Sequence, residues 1–495
     1  MGKSTKILSI ALVFVLLLTS AFLFSCEKPT NENSTEEANA PVTNYIIKTE
    51  IKDGCIWVTY SNDPANPVNI GAFGADGGTS SESSLTFMPL ADGTYGVTAG
   101  NSRYLDTIVI PATYNGKAVT TILENAFNGA VNLKSISIPN SIVSVGDHAF
   151  ENCGKLEYNE LDNALYLGNT ENPHLILVKA KDATITRCIV DDKTVAICDN
   201  AFHGCTELSM LDIPDTVKNI GSYAFKGCGS LTKINFPDGN TFIGAETFEG
   251  CSNLKKIAIP ASVTTIGKAA FANCVSLKEV TIAENSALIG FANEAFNGCK
   301  SLTSITIPKN VEYLGDNKAT STNGIFNNCI ALEKVIFEKG SKLNQIGNFA
   351  FNKCEKLTDI VLPETLNQIG HSAFRGAGIV SIKLPDALLT VADNTFYNCD
   401  SLETVTFGAK LNKIGYQAFA DCKNLNNVSL PESLRIVGIS AFFKCDSLTS
   451  VTVKDANNWY VLKNDSTKLD AAQFGDPATA AEYFTNTYYD YNFAK

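Results

Sequence analysis

The sequence contains few of the side chains from which catalytic and metal sites are usually assembled. The 495 residues include only four histidines, which are His148, His174, His203 and His371. The G-x-S-x-G nucleophile elbow, the H-E-x-x-H metal-binding helix and the C-x-x-C spacing are all absent. We therefore expect no catalytic residue, no bound metal and no cofactor, and we predict that the chain is not an enzyme.

An excess of positive charge is also missing. The chain has 39 lysines and arginines against 51 aspartates and glutamates, which gives a formal net charge of −12 and a sequence pI near 5.0. No basic stripe interrupts this acidic background, so a phosphate backbone would be repelled. Nucleic acid is excluded as an expected partner.

Residues 1–25 have the layout of an export signal. Lys3 and Lys6 precede an apolar run that ends just before Cys26. The segment resembles a bacterial lipoprotein signal, and this resemblance implies that Cys26 becomes lipidated and joins the chain to a membrane of the bacterial envelope. A single transmembrane anchor is the alternative, because 18 mostly apolar residues are just long enough to span. Polar residues within the run, such as Ser9 and Thr19, favour the lipoprotein interpretation.

The segments that flank the main body differ from it in pattern. Residues 26–44 are polar and without periodic apolar positions, which indicates a flexible tether. Residues 45–103 predict an N-terminal β region and cap that begins with a hairpin about Asp53-Gly54. Residues 454–495 leave the repeat and predict a partly helical C-terminal cap.

Between these caps, one phrase recurs about every 23 residues. It reads YAFKGC at 223–228, ETFEGC at 246–251 and AAFANC at 269–274. Each copy is followed by alternating apolar residues, such as Leu254, Ile257 and Ile259, which predict a short strand with one buried face. A proline usually ends that strand. A single copy of this length cannot bury its own apolar face, whereas a stack of copies buries a continuous core.

Further columns describe the rest of each coil. After each strand comes a second apolar position followed by glycine, at Ile243-Gly244, Ile266-Gly267 and Ile289-Gly290. The glycine allows a bend in the backbone, so a bend is predicted at each of these positions. One phenylalanine per coil should be buried, and the residue before each cysteine is usually glycine, asparagine or aspartate, which predicts a left-handed corner. Lys353 and Lys444 depart from that rule.

The combined pattern Leu-x-x-Ile-x-Ile-Pro, Val-x-x-Ile-Gly and Ala-Phe-x-Gly-Cys resembles the BspA-type leucine-rich repeat. The resemblance implies a mainly β solenoid over residues 104–453, with short parallel strands and about 23 residues per coil. Residues 156–197 form an irregular insert in which DNALYLGN predicts a small hairpin, either structural or a binding loop. Residues 315–325 form a longer turn, which is a candidate contact loop or a tolerated insertion.

The sequence has fifteen cysteines, and cysteines of exported proteins often pair. Eleven of them occupy one repeat column, and Ala377 replaces cysteine in that column, which indicates a small buried apolar site and not a disulfide ladder. Cys188 and Cys198 lie outside the column, and the sequence leaves their pairing open.

Outward positions of the strands form the remaining surface. They are mostly small and polar: Ser135, Ser137, Lys233, Asn235, Lys256, Ala258, Ser304, Thr306, Thr404, Thr406, Asn427 and Ser429. Stacked in register, they predict a long flat wall without aromatic anchors. Lys233, Lys255, Lys256 and Lys278 gather on adjacent coils and are the candidate binding residues for an acidic partner, or simply a solvated lysine face.

These observations predict a cell-surface binding protein. The family resemblance implies adhesion to host or neighbouring-cell surface or matrix proteins. A scaffolding lipoprotein of the envelope is the alternative, and an enzyme with an unrecognised site is a third and weaker one.

Overall fold

A computed structural model describes residues 46–52, 55–60, 63–72, 85–316, 323–462 and 466–495. The chain divides between residues 78 and 79 into two compact units. The lipidation candidate Cys26 and the central part of the predicted contact loop, residues 317–322, lie outside the described residues. No helix in the described part is long and apolar enough to cross a membrane.

The first unit contains a three-stranded antiparallel sheet. Its strands are Ile46–Lys52, Cys55–Tyr60 and Asp63–Ala72, with the second strand in the centre. The first two strands form the hairpin that was predicted about Asp53-Gly54. The third strand was not foreseen.

The second unit is a β solenoid of about 15 turns, as the repeat pattern predicted. Most regular coils contribute a strand to one face, which we call the front, and a second, usually shorter strand to an adjacent face, which we call the side. The front strands are Thr107–Val109, Ser135–Ser137, Arg187–Ile189, Met210–Asp212, Lys256–Ile259, Glu279–Ile282, Ser304–Ile307, Lys334–Phe337, Ser381–Lys383, Thr404–Thr406, Asn427–Leu430 and Ser450–Val453. The side strands are Lys117–Ile122, Ser144–Val145, Ala196–Ile197, Asn219–Ile220, Phe242–Ile243, Thr265–Ile266, Gly290–Phe291, Tyr313–Leu314, Gln345–Ile346, Gln368–Ile369, Thr390–Val391, Lys413–Ile414 and Ile436–Val437.

The recurring phenylalanine is the centre of each coil. Phe225, Phe248 and Phe271 are fully buried, and their rings stack at centroid distances of 5.3 and 5.1 Å. This stack continues to Phe442, where Phe484 of the C-terminal cap closes it at 5.7 Å. The burial and stacking confirm that like side chains of successive coils form one elongated interior.

A third ladder of hydrogen bonds runs beside the ring stack, at what we call the ring corner. The N–H groups of Tyr223, Phe225 and Gly227 donate to carbonyl oxygens of the next coil at 2.7 to 2.9 Å. The left-handed conformation predicted before each cysteine of the repeat column is confirmed, with a φ of 75° at Gly227. Lys353 and Lys444 also adopt it, each with a φ of 59°.

The glycine of the side strand has a different role from the predicted bend. At Gly244, Gly267 and Gly290 the φ is not in the left-handed region, and a Cβ at Gly267 would lie 2.8 Å from the backbone nitrogen of Ala245. Glycine is needed because the neighbouring coil passes so close. The predicted register of one coil is also wrong: Gly290 pairs with Thr265, and Phe291 with Ile266, so that Ile289 is 45% exposed. That coil is two residues longer than the preceding one, and the extra residues come before the strand.

The insert at 156–197 contains a hairpin that overlaps the predicted one at residues 162–169 but begins three residues earlier. Asn159–Leu161 pairs antiparallel with Ala164–Leu167, and Asp162 and Asn163 form its turn with φ of 38° and 69°. The second strand pairs with Ile176–Ala180, which returns to the parallel side ladder. The hairpin interrupts the ring stack, and the buried core accordingly separates into two clusters on either side of it.

Both ends of the solenoid are covered. At the N-terminal end, Thr86–Pro89 and Tyr95–Thr98 form a hairpin, followed by the 3-10 helix Gly100–Tyr104 and the strand Thr113–Tyr114. At the C-terminal end, strands Tyr460–Leu462 and Thr467–Lys468 precede the helices Ala471–Gly475 and Pro477–Glu482, a π-helical turn Tyr483–Thr487 and the strand Asn492–Ala494. The last strand pairs antiparallel with Ile436–Val437 and so closes the side edge.

Candidate binding surface

The front strands present their outward side chains as the sequence predicted. Apolar residues such as Ile257 and Ile259 point into the core, while Lys256 and Ala258 are exposed. Every outward residue predicted from the pattern is exposed except Ser137, which is half-buried. The front is therefore a largely polar surface supported by a rigid core.

The predicted continuous wall needs a correction, because the front ladder is divided. Among the described residues, front strands pair only within five separate groups, and no front strand forms in the coils that begin at Leu231 and Leu357. The ring corner still connects these coils, as in the 2.9 Å bond from Phe225 N–H to the Thr247 oxygen. The core and the ring corner thus hold the stack where front pairing is lost.

Aliphatic side chains also interrupt the polar surface. Ile336 is 50% exposed, and Val361 in the following coil is 78% exposed, each at the outward position of its coil. Sequence reasoning did not single them out, although an apolar residue in a column otherwise filled by serine, threonine and asparagine was a usable signal. Exposed apolar positions on successive coils are candidate contacts for a partner.

The four candidate lysines lie together on the front. Lys278 N–H donates to the Lys255 oxygen at 2.9 Å, which places these residues on adjacent coils, and Lys256 lies in register with Glu279. All four side chains are exposed, and none forms an ion pair with a described residue. We call this group of four the lysine cluster.

The cysteine column packs as predicted. Cys228, Cys251 and Cys274 are buried and unpaired, and each thiol donates to the carbonyl oxygen of a phenylalanine in the preceding coil at 3.1 to 3.2 Å. Burial raises the pKa of the Cys329 and Cys445 thiols to about 12. These thiols are therefore small core groups with little thiolate at neutral pH.

Cys188 and Cys198 do not pair in this structure. Both are buried free thiols, and they belong to the two different core clusters that the insert separates. Burial raises the pKa of Cys188 to about 12.

The histidines do not form a shared site. His148 Nδ1 lies 3.2 Å from Asp199 and 3.3 Å from Glu151, while His174 Nδ1 lies 2.7 Å from Asp191. The described residues contain no group of three or more histidine, cysteine or acidic side chains that could hold a metal ion. The candidate site that the described residues present is the front surface with the lysine cluster.

Comparison with known proteins agrees with this architecture. The family model described as "BspA type Leucine rich repeat region (6 copies)" matches residues 100–170, 181–292, 285–391 and 344–465. The chain belongs to the BspA-type leucine-rich repeat family. No curated protein matches the sequence.

Several solved structures are similar to this BspA-type protein. A leucine-rich repeat protein from Bacteroides ovatus is 26% identical, with a TM-score of 0.41, and the match covers 74% of this chain and 92% of that one. A leucine rich cell surface protein from Faecalibacterium prausnitzii is 22% identical, with a TM-score of 0.36 and coverage of 77% and 89%. The pneumococcal vaccine antigen PcpA is 18% identical, with a TM-score of 0.29 and 83% coverage of each chain. The family assignment rests on the repeat model.

Proposed function

We propose that this BspA-type protein is a surface binding protein, adhesin-like, whose front face contacts proteins of a host or of neighbouring cells. The observation that carries the proposal is the lysine cluster on an otherwise polar and exposed face. Four lysines that form no ion pair with a described residue lie on three successive coils of a chain with a net charge of −12, and Glu279 is the acidic residue in register with Lys256. Such a local field attracts an acidic segment, while the remaining surface repels it.

The geometry favours an extended partner with many weak contacts. The front continues over many coils and lacks the aromatic anchors that dominate compact, tight interfaces. Contacts of this kind gain strength from length or copy number. The solenoid is a rigid scaffold for such contacts, and no step of this proposal requires catalysis.

Immobilised extracellular matrix proteins provide a direct test. The full chain and the variant Lys233→Glu/Lys255→Glu/Lys256→Glu are compared by surface capture at ~0.05 and ~0.3 M salt, since screening is strong above about 0.15 M. We expect the variant to lose at least about tenfold in capture at low salt. Equal capture by both chains would contradict a role for the lysine cluster.

A matched control separates local from overall charge. Lys309→Glu/Lys339→Glu/Lys342→Glu makes the same change in net charge at three other exposed lysines. This control should retain capture if the lysine cluster is the contact. A loss equal to that of the first variant would mean that only net charge matters, and the proposed site would be wrong.

We also propose that the protein is lipid-anchored through Cys26 and faces the outside of the cell. The support is the resemblance of residues 1–26 to a lipoprotein signal. The substitution Cys26→Ala should release the protein from the membrane fraction. Protease treatment of intact cells should cleave the wild-type chain, and protection beside a cleaved surface marker would favour the scaffolding alternative.

A further inference from the structure

Among the described residues, side-strand pairing is absent at two boundaries between regular coils: between Asn219–Ile220 and Phe242–Ile243, and between Gln368–Ile369 and Thr390–Val391. The second of these boundaries opens into a cleft. Gln368–Ile369 and Thr390–Val391 are side strands of successive coils, yet they are not paired with each other. Each is paired on its other flank, as Ile346 with Ile369 and Val391 with Ile414. The opening between them is a cleft of about 1130 Å³.

The opening leaves main-chain groups without partners inside the cleft. At the next boundary the ladder is intact, since Asn412 N–H donates to the Leu389 oxygen and Gly415 N–H to the Val391 oxygen, both at 2.8 Å. The equivalent donors one coil earlier, Leu389 N–H and Ala392 N–H, bond to no described residue. Their residues line the cleft, opposite Asn367 and Ile369. The cleft therefore offers unpaired donors on one wall and strand carbonyls on the other.

The cleft is a wedge that is closed toward the core. The rings of Phe374 and Phe396 remain stacked at 5.3 Å, and Phe374 N–H donates to the Thr395 oxygen at 2.8 Å. A peptide strand inserted between two strands would need about twice the normal spacing of ~4.8 Å. The intact stacking below prevents that separation, so the cleft admits small polar groups and not an additional strand.

The wedge is lined by polar side chains together with apolar ones such as Leu389, which is 55% exposed, and by two aromatic rings. Phe349 is half-buried, lines the cleft and contacts the His371 ring edge-on at 5.3 Å. Thr390 is an exposed hydroxyl on the opposite wall, and Asp393 and Lys413 supply one charge of each sign. The walls therefore carry no net preference for an anion or a cation.

We propose that this cleft binds a neutral saccharide. Each sugar hydroxyl both donates and accepts, which matches a site with free N–H groups on one wall and carbonyl and amide oxygens on the other. The apolar face of a pyranose can pack on the ring of Phe349, in the manner of pockets that combine an aromatic wall with a few placed polar groups. This site is separate from the lysine cluster and does not depend on it.

Titration calorimetry with the full chain tests the inference. The probes are neutral hexasaccharides of gluco, manno, galacto, xylo and N-acetylglucosamine configuration. Each is titrated up to ~10 mM, so that weak binding with a Kd near ~1 mM is still detected. We expect at least one to bind with a Kd below ~1 mM. Failure of every probe to bind would overturn the proposal.

Variants then locate the binding. Asn367→Ala should weaken it about three- to tenfold, as expected for the loss of one hydrogen bond, and Thr390→Trp should abolish it by filling the cleft. Asn344→Ala is the matched control, because Asn344 occupies the same column one coil earlier and is exposed outside the cleft. Saccharide binding that survives both cleft variants, or displacement of the saccharide only by peptides of the matrix proteins, would overturn the proposal.

Discussion

The phenylalanine stack predicts that ring contacts, and not only apolar volume, stabilise successive coils. Phe271 lies between Phe248 and Phe296, with centroid distances of 5.1 and 5.2 Å and interplanar angles of 6° and 4°. Replacing it with leucine keeps most of the apolar volume but removes both ring pairs. Each such pair contributes roughly 0.5–1.5 kcal/mol beyond burial. We expect Phe271→Leu to lower the free energy of unfolding by about 1–3 kcal/mol.

A matched control is available in the same coil pair. Phe291 is equally buried, but it occupies the side-strand column between Ile266 and Leu314, and its one ring contact is a tilted one with Phe296 at 6.0 Å and 56°. Leucine fits that column, so Phe291→Leu should cost less than about 1 kcal/mol, within the range of volume-conserving core changes. Both variants begin with the same side chain and end with the same one. Their difference therefore compares the loss of two stacked ring pairs at Phe271 with the loss of one tilted ring contact at Phe291.

Urea unfolding followed by circular dichroism gives the free energies, provided that the transition is cooperative. Repeat proteins can unfold in segments, so hydrogen exchange at residues 246–300 should accompany it as a local measurement. We expect exchange to increase in the coils on both sides of Phe271. The reasoning is refuted if Phe271→Leu costs no more than Phe291→Leu.

Three further predictions follow from the packing of single columns. Gly267→Ala should lower the free energy of unfolding by about 1–3 kcal/mol through overpacking. The control Gly229→Ala should change it by no more than about 0.5 kcal/mol in the same urea assay, because the nearest atom to the added Cβ is 3.5 Å away. Similar losses in both variants would contradict the close approach of the neighbouring coil at Gly267. Cys274→Ala should lower the free energy of unfolding by about 1–2 kcal/mol. Ala377→Cys should leave that free energy unchanged or raise it slightly. A destabilised Ala377→Cys chain would argue against a stabilising hydrogen bond from the thiol to the carbonyl oxygen. Because burial raises the pKa of the Cys329 and Cys445 thiols to about 12, these two cysteines should resist alkylation at pH 8 and react only after denaturation. Rapid labelling of either cysteine in the native chain would contradict their packing.

Those parts of the fold that depend on one coil's own chemistry were predictable. Strand columns such as Leu254 and Ile257, the buried ring of Phe248 and the left-handed corner at Gly250 each have a residue type that suits the conformation. Repetition made the inference firm, because the same columns recur in many copies. The positions of the candidate lysines on neighbouring coils followed from the same register.

A second left-handed column was missed, four residues before the first. It contains Tyr223, Glu246, Ala269 and Phe349, with φ between 52° and 61°. None of these residue types favours that conformation. The ring-corner hydrogen bonds to the next coil impose it, and such bonds between coils are not visible in the sequence of one coil.

The side cleft was missed for a related reason. Its walls come from residues that look ordinary in their own coils, and only the failure of two successive side strands to pair creates the opening. Ala392 replaces the usual glycine there, but Ala292 occupies the same column and still donates to the Ile266 oxygen at 2.8 Å. Alanine alone therefore does not predict an open boundary. Coil-to-coil geometry decides the result.

The three ladders differ in how much variation they tolerate, and this difference indicates where function can reside. The ring corner and the phenylalanine stack continue across boundaries at which the front or side ladder is interrupted, as between Phe374 and Phe396. Stability between coils is therefore concentrated at the core and the ring corner. The front and side faces can lose pairing, gain apolar residues such as Val361 or collect lysines without breaking the stack. A binding surface that varies among proteins of this architecture should accordingly lie on those two faces, which is where the lysine cluster and the cleft are found.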